Sequence, residues 1–193
     1  MATTATSKRV QWLTQLALLT AITIALEILA MFIKFGPFRI TLALVPIVIG
    51  AAVLGMKEGG WLGLVFGTVV LLSGDAAPFM AFTVPGTIIT VLGKGIGAGL
   101  AAGGVYRLLE KRNQTLAAIC AAVAAPIANT GLFILGCYAF FVPLLTDWAG
   151  GEPVGTYIFL GLIGMNFIVE FVSVAVLSGV IVRVIKLWKG RKA

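Results

Sequence analysis

The sequence predicts an all-α membrane protein: one compact bundle of six transmembrane helices with both termini in the cytoplasm. Of 193 residues, 60% are hydrophobic and 11% charged, whereas soluble domains average about 45–50% apolar and about 25% charged residues. The apolar residues form six segments separated by short polar breaks, and most basic residues lie on one side of these segments. A single membrane domain over residues 1–193 is the simplest organisation.

The bounds of the spans follow from the apolar segments, because a helix needs about 20 apolar residues to cross a bilayer. The predicted spans are approximately residues 10–32, 40–56, 61–73, 86–109, 116–140 and 156–187. The second and third are shorter than a full crossing, and a Gly-rich break at 55–60 separates them. The first is too long for a signal peptide and is interpreted as a retained span.

The basic residues orient the bundle. Eleven of the 14 Lys and Arg residues lie in the two terminal segments and in the connections after spans two and four. Because basic residues accumulate in cytoplasmic loops, both termini are predicted to be cytoplasmic. The net charge of +7 is therefore attributed to orientation signals near anionic lipid, not to nucleic-acid binding.

Small residues recur at every fourth position on three spans, which allows helices to approach closely in a membrane. The glycine rows on spans three and four are interpreted as internal packing; they are Gly59, Gly63 and Gly67, and Gly95, Gly99 and Gly103. The row on span one, Ala17, Ala21 and Ala25, is interpreted instead as a surface for a partner protein. Periodicity alone leaves internal packing open for this row as well.

Five residues with charged or amide side chains are singled out within the predicted spans: Glu27, Lys94, Asn129, Asn166 and Glu170. A charge in the bilayer costs about 2.5–3.5 kcal/mol on the insertion scale, so such residues are functional candidates. The topology puts four of them in one layer, roughly 8–17 Å below the external surface, with Glu170 one turn deeper. They predict either a binding site for a small polar ligand or a structural ion pair with interhelical amide hydrogen bonds.

Two external segments, 33–39 and 74–85, lie above this layer. The first contains Arg39, a further candidate for ligand binding, and the second is apolar and interrupted by prolines. Each is interpreted either as an ordinary interfacial loop or as a gate that closes the site. The aromatic gating candidates are Phe35, Phe38, Phe79 and Phe82.

The sequence lacks the residues that catalysis, metal binding and nucleotide binding usually need. The chain has no His, the commonest general base and metal ligand. The Gly93-Lys94 pair lacks the rest of a phosphate-binding loop. No catalytic residue, metal site, nucleotide site or cofactor is therefore predicted, and an enzyme is disfavoured.

Four stretches carry a family resemblance together with the six spans and the alanine row: residues 41–50, 59–67, 126–131 and 166–170. The chain resembles the S component, the substrate-binding membrane subunit, of energy-coupling factor (ECF) vitamin transporters, and these stretches look most like the pantothenate-type branch. The resemblance implies capture of a water-soluble vitamin or related molecule at the external side of a prokaryotic plasma membrane. It also implies two kinds of partner, a transmembrane T component and two cytoplasmic ATPase subunits.

The resemblance further implies roles for individual residues. Ala17, Ala21 and Ala25 would contact the T component, and the segments 33–39 and 74–85 would act as gates. For pantothenate, Lys94 or Arg39 would bind the carboxylate. The amide and hydroxyls would be bound by Asn129, Asn166 and Glu170.

Other substrates and another transport mechanism remain open. Pyridoxine-like, riboflavin and queuine-like ligands are alternatives to pantothenate. The alternative function is a stand-alone secondary transporter or channel, coupled to protons through Glu27 or Glu170. An inverted repeat would favour that alternative, and the sequence has no convincing one.

Overall fold

The computed structural model describes the backbone of residues 2–32, 34–35, 38–39 and 42–190, and the side chains of residues 7–32, 42–164 and 167–188. These ranges are almost entirely helical. The α-helices are α1 (Ala2–Phe32), α2 (Leu44–Val53), α3 (Met56–Leu72), α4 (Ala77–Phe82), α5 (Val84–Leu109), α6 (Gln114–Phe140), α7 (Val142–Ala149), α8 (Val154–Thr156) and α9 (Met165–Gly190). A π-helix, Tyr157–Gly164, joins α8 to α9. Two short antiparallel strands, β1 (Lys34–Phe35) and β2 (Phe38–Arg39), follow α1.

Helix α2 is the central element of the bundle. Its apolar residues cover every side of the helix, and nine of its ten residues are buried. A helix that is hydrophobic all round is either a core helix or a lipid-facing span. Here α2 is a core helix, because α1, α3, α5, α6 and α9 all contact it. Around α2, the outer helices pack in the order α1, α3, α5, α6, α9.

Glycines bring α3 and α5 into close contact. A Cβ atom added to Gly59 would lie 2.8 Å from the Gly99 carbonyl oxygen, and one added to Gly67 would lie 2.8 Å from the Val91 carbonyl oxygen. Larger side chains would push the two helix backbones apart, since membrane helices associate through tight van der Waals packing. The prediction that the glycine rows of spans three and four pack inside the bundle is confirmed.

Four described helical segments are long and apolar enough to cross a membrane: Ser7–Phe32, Val84–Leu109, Gln114–Phe140 and Val154–Trp188. Helices α2 and α3 have 10 and 17 residues. At 1.5 Å per residue, they reach roughly 15 and 25 Å, as their short sequence segments predicted. The last long segment includes α8 and the π-helix, which the sequence did not predict.

The external connections contain more helix than expected. The 74–85 segment is not a plain loop, because α4 forms in its middle with Pro78 in the first turn, where proline is tolerated. The connection after α6 contains α7, which Gly150 ends in a left-handed conformation (φ 59°), a common helix terminator. Both short helices lie at the end of the bundle where α1 and α6 end and α5 begins.

Candidate functional site

Polar side chains from four helices line one cavity of about 170 Å³ inside the bundle. They are Glu27 from α1, Lys94 from α5, Asn129 from α6 and Glu170 from α9. Glu27, Asn129 and Glu170 are only 1%, 5% and 4% exposed. The structure thus brings together four of the five residues singled out within the predicted spans.

The inward face of α1 explains the position of Glu27. Leu19, Thr23 and Glu27 are buried and spaced by four residues, so they lie on one face of the helix. The Thr23 hydroxyl donates a hydrogen bond to the Leu19 carbonyl oxygen (2.8 Å), so it needs no partner on another helix. The carboxyl group of Glu27 then reaches the cavity from the last two turns of α1.

Asn129 and Glu170 connect α6 to α9 across the cavity. The Asn129 Nδ2 atom donates to Glu170 Oε1 at 3.4 Å, which is long for a hydrogen bond. Asn129 Oδ1 is buried and accepts no hydrogen bond within the described part of the chain. Leaving such an acceptor unsatisfied costs about 1–3 kcal/mol. The amide therefore offers an acceptor to a bound molecule.

Lys94 carries a positive charge into the same space. Its Nζ atom lies 4.9 Å from the centroid of the Phe133 ring and 6.0 Å from that of Phe66. Aromatic faces attract cations at these distances. Lys94 also interacts electrostatically with Glu170, which lines the same cavity.

Helix α4 closes one end of the cavity. Asp75, Ala76 and Phe79 belong to the cavity lining, and the Ser73 hydroxyl donates to Asp75 Oδ2 at 2.5 Å. The Phe79 ring makes edge-to-face contacts with three other rings. These belong to Phe133 on α6 (5.9 Å between centroids), Phe141 between α6 and α7 (4.9 Å) and Trp148 on α7 (5.4 Å). Each such pair contributes about 0.5–1.5 kcal/mol beyond its burial. Phe82 is 44% exposed and takes no part in this contact.

A second cavity of about 180 Å³ lies beside the first. Lys94, Asn129, Phe133 and Glu170 line both cavities. The second is completed by Thr130, Leu162, Ile163 and Phe167. Leu162 and Ile163 come from the π-helix, and π-helical turns occur frequently at functional sites.

Some predicted site residues fall outside the described side chains. Arg39 lies on β2, and Phe35 and Phe38 pair in the strand ladder, but their side chains are outside the described set. Asn166 lies on α9, one helical turn before Glu170; its side chain is outside that set too. Their assignment to the site remains a prediction.

The alanine row of α1 lies on the outside of the bundle. Ala17, Ala21 and Ala25 are exposed, so the described structure excludes internal packing for this row. Ala17 and Ala21 line a shallow groove that Trp61 of α3 borders, and Trp61 Nε1 donates to the Thr20 hydroxyl at 3.3 Å. Contact with a partner at this surface stays a prediction.

The sequence interpretation missed the aromatic part of the lining, mainly Phe66 and Phe133, and it missed Thr130. An aromatic residue that lines a cavity cannot be distinguished by sequence from a lipid-facing one, because both lie in apolar spans. Phe133 had one usable signal, because it follows Asn129 by four positions and therefore lies on the same helix face. No comparable signal pointed to Phe66.

The described residues include no group of three or more His, Cys, Asp or Glu side chains that could hold a metal ion. The site is instead a partly open cavity whose lining combines charged and aromatic side chains. It can bind a small molecule by ionic contacts, hydrogen bonds and ring contacts.

Comparison with known proteins identifies the family. No curated protein matches the sequence. Residues 13–185 match the family described as the substrate-specific component of ECF transporters. The match runs from α1 into α9 and includes every described residue of both cavities. The chain therefore belongs to the family of substrate-specific components of ECF transporters, which are membrane-embedded binding subunits and not enzymes.

Proposed function

We propose that this protein captures a water-soluble vitamin or related small molecule at the external side of the membrane, for an ATP-driven ECF importer. One observation carries the proposal: Glu27, Lys94, Asn129 and Glu170 converge on a cavity within an apolar bundle. Buried charges are costly in a membrane. Apolar residues could pack these helices together without that cost. The buried polar residues and the cavity between them therefore favour a binding role over a purely structural one.

In this proposal the chain forms one domain that crosses a prokaryotic plasma membrane six times, through α1, α2, α3, α5, α6 and α9. Both termini are cytoplasmic. Lys57, Arg107 and Lys111 lie at the helix ends opposite to α4 and α7, and the positive-inside rule supports a cytoplasmic position for them. Asp75 and Phe79 line the first cavity, which therefore lies toward the external end.

Pantothenate is the first candidate substrate. The Lys94 ammonium group would bind its carboxylate through charge-assisted hydrogen bonds. Asn129 and Glu170 would accept hydrogen bonds from its amide and hydroxyl groups. Arg39 and Asn166 are additional candidates for these contacts. Glu27, which lines the first cavity, is a further candidate for binding the substrate.

Gating and partner binding use surfaces outside the cavity. Helix α4 and the β1–β2 segment would open and close the entrance, with Phe79 as the side chain that anchors α4 over the site. Phe35, Phe38 and Phe82 are the further aromatic gating candidates. The exposed row of Ala17, Ala21 and Ala25 would contact the T component, and that component would link the protein to two ATPase subunits.

Binding without ATP tests the proposal directly. The purified full-length chain is titrated by calorimetry with pantothenate, pyridoxine, riboflavin and queuine, and small molecules retained through purification are identified by mass spectrometry. We expect tight binding of one ligand without nucleotide. A folded sample that binds and retains nothing would contradict the function. Uptake by the chain alone in liposomes with a proton gradient would favour the proton-coupled alternative.

A further inference from the structure

The two cavities meet at four side chains that line both of them: Lys94, Asn129, Phe133 and Glu170. The contact between the Asn129 and Glu170 side chains is one hydrogen bond of 3.4 Å. Of the other polar lining residues, Glu27 and Asp75 line only the first cavity, and Thr130 lines only the second.

Neither cavity alone is large enough for a molecule of vitamin size. Their volumes are about 170 and 180 Å³, whereas small-molecule pockets usually measure about 300–1,000 Å³. Joined, the two cavities reach the lower part of that range. A ligand that moves the Asn129 and Glu170 side chains apart could extend through both cavities.

The contact between Asn129 and Glu170 is weak, so a ligand can replace it. A hydrogen bond of 3.4 Å lies beyond the usual 2.7–3.2 Å range for N–H donors and oxygen acceptors. Asn129 Oδ1, buried on the same side chain, accepts nothing in the described part of the chain. A ligand with a donor and an acceptor can satisfy both ends of this amide at once.

The two cavities differ in chemistry. The first adds two carboxyl groups, Glu27 and Asp75, to the shared lining, so it favours groups that donate hydrogen bonds. The second adds one hydroxyl, that of Thr130, and three apolar side chains, Leu162, Ile163 and Phe167. The second cavity therefore favours apolar groups of a ligand.

We propose that one elongated substrate occupies both cavities at once, passing Lys94 and replacing the contact between Asn129 and Glu170. Its donor-rich end, bearing hydroxyl, N–H or amine groups, lies in the first cavity, and its more apolar end lies in the second. This proposal rests on the proposed function, because it describes how that substrate is held. It defines the substrate class as a two-ended molecule rather than a compact ring or a small ion.

Filling each cavity separately tests the proposal. The larger leucine side chain reduces the free space of the first cavity in Ala76→Leu and of the second cavity in Thr130→Leu. The matched controls are Ala77→Leu, at an exposed residue beside Ala76, and Thr68→Leu, at an exposed position of α3. Calorimetry uses the full chain and whichever of pantothenate, pyridoxine, riboflavin and queuine binds the unmodified protein most tightly.

We expect each filling variant to weaken binding at least tenfold, while each control stays within twofold of the unmodified protein. Unchanged binding in either filling variant, or tightest binding of pyridoxine, which is a compact ring, would overturn this proposal and leave the proposed function intact. If the unmodified, folded protein binds none of the four compounds, both the proposed function and this proposal are wrong. Melting temperature in detergent verifies folding, and Ala76→Val and Ile163→Phe replace any filling variant that does not fold.

Discussion

The ammonium nitrogen of Lys94 lies 4.9 Å from the centroid of the Phe133 ring, inside a bundle whose outer surface is apolar. A lysine near the end of a membrane helix usually extends its charge toward the interface. Here aromatic faces and Glu170 stabilise the charge in the interior instead. The ammonium group is therefore positioned before any ligand arrives, which lowers the entropy lost on binding.

Replacing Lys94 with alanine should weaken binding of an anionic substrate. The lost charge-assisted hydrogen bond contributes about 1.5–3 kcal/mol, which corresponds to roughly a tenfold to hundredfold weaker affinity. Calorimetry on the purified variant gives the change. Lys57→Ala is the matched control, because Lys57 is exposed at the start of α3.

The control should bind like the unmodified protein. Folding of the Lys94→Ala variant must be verified by its melting temperature in detergent, because Lys94 also interacts with Glu170. If the folded Lys94→Ala variant binds as tightly as the Lys57→Ala variant, Lys94 has no part in substrate recognition.

Asparagine-to-alanine substitutions within α6 and at its N-cap should affect different properties, affinity in the first case and stability in the second. Asn129→Ala removes the buried amide that contacts Glu170, and we expect affinity to fall by about 1–3 kcal/mol, as for a buried hydrogen-bonding group. Asn113 caps the start of α6, where its Oδ1 accepts from the amides of Thr115 (2.9 Å) and Leu116 (3.1 Å). Asn113→Ala should cost about 0.5–2 kcal/mol of stability and leave affinity unchanged.

Titration and thermal melting of both variants separate the two effects. A fall in melting temperature without a fall in affinity for Asn129→Ala would mean that Asn129 only links α6 to α9. The proposed role of this amide in substrate binding would then be wrong.

The sequence predicted the polar part of the site better than its walls. Glu27, Lys94 and Glu170 stood out because charges are rare and costly within membrane spans. Their convergence followed from depth along each helix, which topology and the rise per residue provide. The contact of Phe79 with Phe141 and Trp148 could not be predicted, because it depends on two short helices in the connections. Isolated helices of this length are marginal in water and form through tertiary packing.

Two glycines of α5 should respond differently to alanine. A Cβ atom on Gly99 would overlap the carbonyl group of Gly59 on α3, whereas one on Gly93 would meet nothing within 4 Å. Overpacking typically costs about 1–3 kcal/mol, so Gly99→Ala should lower the melting temperature. Gly93→Ala should leave it unchanged or raise it, because alanine favours helix by up to about 1 kcal/mol over glycine. Equal melting temperatures for both variants would contradict the close packing of α3 against α5.

The orientation of α1 shows how one buried residue can resolve an ambiguous pattern. The four-residue spacing of Ala17, Ala21 and Ala25 fits an internal or an external ridge equally well. Glu27 lies at a different angle around the same helix and must avoid lipid, so it turns the alanines outward. The exposed alanines and the buried Leu19 and Thr23 agree with that orientation.

A bulky residue on the alanine row should separate partner binding from substrate binding. Ala21 is exposed midway along the row, and small side chains there allow a second helix to approach closely. We expect Ala21→Trp to block assembly with the T component, and therefore vitamin uptake, in cells that contain the complete transporter. Substrate affinity of the purified chain should stay within about twofold, or roughly 0.4 kcal/mol, because the substituted face points away from the cavity.

The matched control for this prediction is Ala175→Trp, at an exposed position of α9. Any general effect of a large aromatic residue on membrane insertion should appear in both variants, since both positions face outward from membrane helices. Only Ala21→Trp should lose copurifying partner subunits. If Ala21→Trp lowers affinity and melting temperature together, the residue packs inside the bundle, where overpacking costs about 1–3 kcal/mol. Normal uptake and normal copurification in Ala21→Trp would mean that the T component docks on another face of the protein.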